Sequence, residues 1–142
     1  SRNPEGALTF LLAALRGFGV RLYASGEVAN RVDSLVATGL VGHDVNPELA
    51  QECAWQCAIN VLESGQKELG SLDKIDDVVR LGIYVASADG FSDQHLVAHG
   101  ASQVFLNVFG DQHGKHSRTA IGVRSLPLDS PVEVDAIFSL RD

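Results

Sequence analysis

Residues 78–125, VVRLGIYVASADGFSDQHLVAHGASQVFLNVFGDQHGKHSRTAIGVRS, contain the patterns of a strand, a helix and a second strand in succession. Within Val78–Ser87, every second position carries an apolar branched side chain, which is the two-residue period of a β-strand. Residues 92–110 follow with apolar side chains at three- and four-residue spacing and a terminal Gly, as in a helix. Ser117–Ser125 again has the pattern of a strand. This order predicts a βαβ crossover with the helix packed on one face of a sheet.

A longer helix is predicted upstream, at about residues 47–69. Asn46-Pro47-Glu48 combines a favoured N-cap, a residue suited to the first helical position and an acidic side chain at the positive end of the helix dipole. Small and apolar residues then recur on one stripe between positions 50 and 62, and Gly70 is suited to a C-cap. A stripe of small side chains allows this helix to lie close to a sheet.

Three further strands complete the predicted sheet: Val20–Val28, its hairpin partner Leu35–Val41, and Pro131–Leu140. Ala7–Leu15 is interpreted as a short helix or as irregular chain. The resulting order is β-β-α-β-α-β-β, which indicates an α+β fold with two helices on one face of a mixed sheet. The other face is then uncovered and partly apolar, and the commonest partner of such a face is another copy of the same chain.

Length and composition indicate a single soluble domain over residues 1–142. The net charge is −7, with 11 basic and 18 acidic residues and no basic stretch, which argues against a nucleic-acid partner. The longest apolar runs are far shorter than the roughly 20 residues of a membrane helix. Ala7–Leu15 lacks the basic leader and clear cleavage site of a signal peptide. We therefore expect a cytoplasmic protein without a membrane partner.

Two pairs of potential metal ligands lie at i, i+4 spacing on the predicted helices, Cys53 with Cys57 and His95 with His99. Neither pair has the additional residues of a zinc site at a suitable spacing in the sequence. We interpret the cysteines as small buried hydrophobic side chains and the histidines as solvated surface residues. The sequence also contains no Gly-rich phosphate loop and no Gly-x-Ser-x-Gly motif of serine hydrolases.

Arg118 and Glu133 are the candidate functional pair. Arg118 opens the strand Ser117–Ser125, Glu133 lies in Pro131–Leu140, and the short connection predicts that these strands are antiparallel neighbours. One interpretation is a cross-strand ion pair at the surface. The other is a site in which the guanidinium binds a carboxylate through two hydrogen bonds and Glu133 holds a water molecule. Spacing alone leaves both interpretations open.

The C-terminal part of the chain combines an Arg at the start of a strand, a Leu-Pro turn and a closing strand with a central Glu. These features lie in HSRTAIGV (116–123), LPLD (126–129) and PVEVDAI (131–137). The arrangement resembles the C-terminal signature of the YjgF/RidA family, and YASGEV (23–28) resembles the family's early Ser-Gly-Gln strand. The resemblance covers about residues 20–140. It implies a chorismate-mutase-like fold and a barrel-like homotrimer with a site in each of three clefts between subunits.

Many members of this family hydrolyse reactive enamines and imines, such as 2-aminoacrylate, to 2-keto acids and ammonia without a metal or an organic cofactor. The resemblance implies that Arg118 binds the substrate carboxylate and that Glu133 orients the attacking water. It also implies that Thr119 and Ala120 line the cleft. The chain departs from the family pattern because Ala120 lacks the usual small polar or Cys side chain. Residues 1–19 diverge as well, and the family's N-terminal Tyr has no counterpart there.

Three functions stay open at this point. The first is imine or enamine hydrolysis. The second is a non-catalytic trimer that binds small carboxylate ligands in the same clefts, for which Arg118 alone would suffice. The third is ribonuclease or translation-inhibitor activity, a label that some family members carry, and the charge of −7 disfavours it.

Overall fold

The computed structural model describes residues 10–15 and 19–142, which form a five-stranded sheet and two helices. The elements in chain order are β1 (Phe10–Leu15), β2 (Gly19–Val28), α1 (Pro47–Leu69), β3 (Ile75–Ala86), α2 (Gln94–His113), β4 (Ser117–Val123) and β5 (Val132–Leu140). The predicted α+β class is confirmed, and the observed order is β-β-α-β-α-β-β, as predicted, although one of its first two strands is a different segment from the predicted one. None of the helices in the described residues is long and apolar enough to cross a membrane.

The sheet is mixed, with the strand order β1-β2-β5-β3-β4. Only β3 and β4, which α2 connects, are parallel; the other neighbours are antiparallel. Both helices cover one face. The ring of Phe138 on β5 contacts Phe105 of α2, with centroids 6.0 Å apart. The thiol of Cys57 on α1 donates to the carbonyl of Val132 on β5 at 3.3 Å. Alternate residues of β5 are therefore buried against the helices: Val132, Val134, Ala136 and Phe138.

The strand that pairs with the outer edge of β2 is β1, so the predicted hairpin strand Leu35–Val41 is wrong. The interpretation of Ala7–Leu15 as a helix or irregular chain is also wrong for residues 10–15; residues 7–9 lie outside the described residues. Leu35–Val41 belongs to a loop whose apolar side chains pack on the core, and its residues form isolated β-bridges rather than a strand. Val41 is buried there, and its N–H donates to the carbonyl of Ala86 at 2.8 Å. Apolar residues in a core-covering loop thus imitate the pattern of a strand.

The strands β4 and β5 are not neighbours, although the short connection predicted that they pair. Because α2 returns the chain to the end of the sheet where β3 begins, β4 runs parallel to β3 and pairs with its free edge. The connection then crosses the end of β3, where the N–H of Ala86 donates to the carbonyl of Pro131 at 2.9 Å. The buried Ser130 hydroxyl fixes this crossing, since it accepts from the Ala29 N–H at 3.2 Å and donates to the Val132 carbonyl at 2.8 Å. The strand β5 enters between β2 and β3.

Both ends of α1 lie where the sequence predicts them. The Asn46 side chain accepts a hydrogen bond from the Leu49 N–H at 2.8 Å, and Pro47 is the first helical residue. Gly70 ends the helix in the left-handed conformation, with φ 85°, which favours glycine. In α2 the helical backbone breaks at Gly110, the predicted end, where φ is 79° and ψ is 172°.

Candidate functional site

Arg118 lies at the start of β4, and three hydrogen bonds hold its guanidinium against α2. Nη1 donates to Oγ of Ser102 at 2.9 Å and to Nδ1 of His99 at 3.2 Å. Nη2 donates to the main-chain carbonyl of His95 at 2.9 Å. Within the described part of the chain, Arg118 forms no ion pair. The positive charge is therefore fixed without a carboxylate partner, and donors on Nε and Nη2 are left for a ligand.

Ser102 connects Arg118 to a second side chain, that of His116. Ser102 is 8% exposed, and its Oγ lies 2.8 Å from Nε2 of His116. Nδ1 of the same ring lies 2.6 Å from the carbonyl oxygen of Gly114. The ring also packs edge-on against Phe105, with centroids 6.4 Å apart. A continuous line of hydrogen bonds thus runs from the guanidinium into the partly buried space between α2 and β4.

Glu133 lies on β5, on the face of the sheet that the helices leave uncovered. It is opposite Tyr84 of β3 in the strand register. Its carboxylate passes over Gly26, where a Cβ atom would collide with it, so the absence of a side chain there makes room for the carboxylate. Burial raises the pKa of Glu133, and the nearby carboxylates of Asp135 and Glu27 raise it further.

Tyr84 and Asp135 form a hydrogen-bonded pair beside Glu133. The Tyr84 hydroxyl donates to Oδ2 of Asp135 at 3.0 Å, and a Cβ atom on Gly82 would collide with the Asp135 carboxylate. Burial of the Tyr84 hydroxyl, and then its hydrogen bond to Asp135, raise the pKa of Tyr84. Thr119 is exposed on β4 next to Gly82. This face therefore carries two carboxylates and two hydroxyl groups close together.

The four predicted site residues divide between the two faces of the sheet. Arg118 contacts α2 and Ala120 packs against the core, so both point towards the helices. Thr119 and Glu133 point the other way, because side chains alternate along a strand. The strand β3 also separates β4 from β5. An ion pair between Arg118 and Glu133 of one chain is therefore wrong, since that interpretation needed the two strands side by side.

Sequence reasoning missed the residues that hold Arg118. His95 and His99 are exposed, as predicted. The interpretation of both as solvated surface residues left out their contacts with the guanidinium. Positions 95, 99 and 102 share one face of α2, and this helical spacing is the signal that was available. It could not show that the start of β4 lies against that face.

Cys53 and Cys57 are buried and unbridged, as predicted. Burial raises the pKa of Cys53 to about 11 and also raises the pKa of Cys57. The thiolate is the form that binds metals and attacks electrophiles, so at neutral pH both side chains are neutral thiols. They act as small core residues in the stripe of α1.

Three side chains at the start of β3 and the end of α2 could offer ligand atoms to a metal ion. In the described ranges, Asp76, Asp77 and His113 bring such atoms within 4.8 Å of one another. Asp77 lies 2.8 Å from His113, and Asp76 lies 3.3 Å from Nη1 of Arg141. These groups therefore already pair with one another and with a cation.

Residues 13–139 match the family described as Endoribonuclease L-PSP. The chain belongs to this family. It is the YjgF/RidA family that the C-terminal residues resemble, so the predicted membership is confirmed. In this member of the family, the C-terminal motif supplies residues to both faces of the sheet rather than to one.

Similar proteins support the assignment. Protein TCP17 of Trypanosoma cruzi is 38% identical over 124 residues, which cover 87% of this chain and 78% of that protein. The crystal structure of the protein Atu1372, of unknown function, from Agrobacterium tumefaciens has 39% identity and a TM-score of 0.87, and covers 94% of this chain and 81% of its own. The crystal structure of E. coli TdcF with bound serine has 16% identity and a TM-score of 0.61, and covers 100% of this chain and 91% of its own. The likeness to TdcF shows the fold alone.

Proposed function

We propose that this protein hydrolyses small imines and enamines that bear a carboxylate, such as 2-aminoacrylate, to 2-keto acids and ammonia. The observation that carries the proposal is the guanidinium of Arg118, which neutral groups of α2 fix while no described carboxylate pairs with it. A fixed guanidinium binds a carboxylate through two parallel, charge-assisted hydrogen bonds. TdcF, which shares the fold, holds serine, a small molecule with a carboxylate, in its crystal structure.

Glu133 is the proposed base. 2-Aminoacrylate first tautomerises to 2-iminopropanoate, whose C=N carbon is the electrophile. A water molecule adds to this carbon while Glu133 accepts a proton from the water and passes it to the imine nitrogen, which gives a tetrahedral carbinolamine. Glu133 then takes the proton of the carbinolamine hydroxyl and delivers it to the amino group, and the carbon–nitrogen bond breaks as the C=O bond forms, so the products are a 2-keto acid and ammonia. The raised pKa of Glu133 makes it a stronger base than an ordinary carboxylate. Fixing the substrate through Arg118 supplies proximity between the imine carbon and this water.

The proposed site needs two subunits. Arg118 and Glu133 of one chain lie on opposite faces of the sheet with β3 between their strands, so they cannot act on one small substrate. We therefore propose a homotrimer in which Arg118 of one subunit and Glu133 of the next line each cleft, with the main chain of Thr119 and Ala120 beside Arg118. The uncovered sheet face supports self-association, since it carries Ile121, which is 45% exposed.

The activity test is ammonia release from 2-aminoacrylate generated during the assay, compared with the rate without protein. Arg118→Ala and Glu133→Gln should each lower the protein-dependent rate severely. A wild-type rate equal to the uncatalysed rate would contradict the proposal. Sedimentation equilibrium should give about three times the chain mass of 15.1 kDa.

Mixing the two variants tests the shared cleft. If Arg118→Ala and Glu133→Gln chains form mixed trimers on co-expression, about a quarter of the clefts regain both wild-type residues in a cyclic arrangement. Ammonia release should recover to about that fraction of the wild-type rate. No recovery, in trimers shown by mass spectrometry to contain both chains, would mean that the two residues do not meet between subunits.

A second candidate function is binding of small carboxylates without catalysis. It is favoured by Ala120, which offers no functional group at a position where the family usually has one. Such a protein would bind L-serine or pyruvate in a manner that depends on Arg118 but not on the basicity of Glu133. Calorimetric binding that survives Glu133→Gln, together with no ammonia release by the wild type, would select this function.

A further inference from the structure

We propose that Ser102 and His116 are positioning residues for Arg118, and that His116 performs this role as its Nδ1–H tautomer. The inference rests on the proposed function, in which Arg118 binds the substrate carboxylate. Both residues act through Arg118. Neither belongs to the C-terminal strand residues Arg118 to Ala120 and Glu133 that the family resemblance assigns to the site.

The tautomer follows from the partners of the His116 ring. Nδ1 lies 2.6 Å from the carbonyl oxygen of Gly114, and a carbonyl only accepts, so Nδ1 carries a proton. A neutral imidazole has one N–H, so Nε2 carries a lone pair. The group 2.8 Å from Nε2 is the Ser102 hydroxyl, which must therefore donate its proton to the ring.

The Ser102 hydroxyl then has only lone pairs to offer Arg118. A serine hydroxyl has one proton, and that proton is committed to His116. Its oxygen accepts from Nη1 of Arg118 at 2.9 Å, and a guanidinium can only donate. The hydrogen bonds run in one direction, from Arg118 through Ser102 and His116 to the Gly114 carbonyl. Such an aligned chain strengthens each member in a partly buried setting.

His99 completes the arrangement with the opposite tautomer. Its Nδ1 accepts from Nη1 of Arg118 at 3.2 Å, so this nitrogen is unprotonated and the ring proton lies on Nε2. The two protons of Nη1 are then used by Ser102 and His99, and one proton of Nη2 is used by the His95 carbonyl. Of the five donors of Arg118, those on Nε and one on Nη2 stay available for a carboxylate.

This division of donors sets the orientation of the guanidinium. Of the three residues that contact Arg118, Ser102 is buried, whereas His95, which contributes its main-chain carbonyl, and His99 are exposed. Without the Ser102 hydroxyl, Arg118 would keep contacts only to exposed groups, and its flexible side chain could turn the two free donors away from the substrate. The position of the Ser102 proton, and hence of its acceptor lone pairs, depends in turn on His116.

Nuclear magnetic resonance of the wild-type protein tests the tautomers directly. Long-range proton–nitrogen correlations of the imidazole rings, recorded in mildly alkaline buffer, distinguish a protonated ring nitrogen from an unprotonated one. We expect a proton on Nδ1 of His116 and on Nε2 of His99, assigned by single His→Gln variants. A proton on Nε2 of His116 would overturn the proposal.

Kinetics of Ser102 variants test the positioning role. Ser102→Ala should raise KM for the imine about tenfold with a smaller change in kcat, because it weakens carboxylate binding in the ground and transition states alike. Ser102→Thr keeps the hydroxyl and should restore KM, and Ser125→Ala is the matched exposed control. If Ser102→Ala lowers kcat and leaves KM unchanged, or if Ser102→Thr fails to restore KM in a stably folded protein, Ser102 does not position Arg118.

A separate measurement distinguishes failure of this inference from failure of the proposed function. If the wild type shows no imine hydrolysis, the proposed function is wrong, and calorimetric binding of L-serine replaces KM as the measure of Arg118. Binding weakened about tenfold by Ser102→Ala but not by Ser125→Ala would still support the positioning role. Equal binding by wild type and Ser102→Ala would overturn it, and so would the absence of any L-serine binding.

Discussion

Replacing Arg118 with Lys removes the planar donor arrangement and keeps the positive charge. Arg118 spends three donors on Ser102, His99 and the His95 carbonyl, and two others are free for a carboxylate. A lysine ammonium has three protons on one nitrogen, so it cannot keep these contacts and also bind a carboxylate with two hydrogen bonds. The variant must lose at least one charge-assisted hydrogen bond to the ligand.

One hydrogen bond to a charged group contributes about 1.5 to 3 kcal/mol. We therefore expect kcat/KM for 2-aminoacrylate to fall about 10- to 150-fold in Arg118→Lys. The free energy of unfolding should fall by only about 1 kcal/mol, because Arg118 is partly exposed and Ser102 can still donate to His116. Arg124→Lys is the matched control, since Arg124 follows β4 and is exposed.

The assay combines ammonia release with thermal unfolding of the same protein samples. Arg118→Lys should lose activity while its melting temperature falls by only a few degrees, whereas Arg124→Lys should change neither. If Arg118→Lys kept the wild-type kcat/KM and melted at a clearly lower temperature, Arg118 would be a structural residue and the site assignment would be wrong.

Three further predictions concern Glu133, the two cysteines and Gly65. Folding raises the pKa of Glu133, so its ionised form destabilises the folded protein at neutral pH, and this effect disappears below the pKa of Glu133 in the unfolded chain. The variant Glu133→Gln should therefore melt at a higher temperature than the wild type at neutral pH and at the same temperature in acid. Ammonia release by the wild type should fall as the pH drops through the raised pKa of Glu133. Cys53 and Cys57 should resist alkylation by iodoacetamide until the protein is unfolded, because burial holds both as neutral thiols; rapid labelling of the native protein would contradict their burial. Gly65 lies inside α1, where alanine is more favourable than glycine, and a Cβ atom there would meet only a methyl group of Leu22, at 4.0 Å. Gly65→Ala should therefore raise the free energy of unfolding by about 0.5 to 1 kcal/mol in chemical denaturation. A loss of stability would show that the space is too small.

The helices and the central strands could be predicted because their signals are local. The Asn46 cap, the apolar stripe that follows it and the left-handed Gly70 act within α1 itself. In β5, buried residues such as Val132 alternate with partly exposed residues such as Glu133, and this pattern is likewise visible in consecutive residues. Caps and periodicity depend on backbone hydrogen bonds and burial over a few consecutive residues, so they can be recognised from the sequence alone.

Strand pairing and the content of the site depended on tertiary structure. The short link from β4 to β5 favoured a hairpin, but α2 returns the chain so that β4 pairs with β3, and β5 fills the remaining gap. This choice separates Arg118 from Glu133 and brings Arg118 against Ser102 and His99, which are far from it in the sequence. The sequence indicates where the strands lie and which of their residues are polar, and it identified Arg118 and Glu133 as the residues to test. Which donors those residues meet is decided by the packing of α2 on the sheet, because hydrogen bonds form only between groups that the fold brings within about 3 Å.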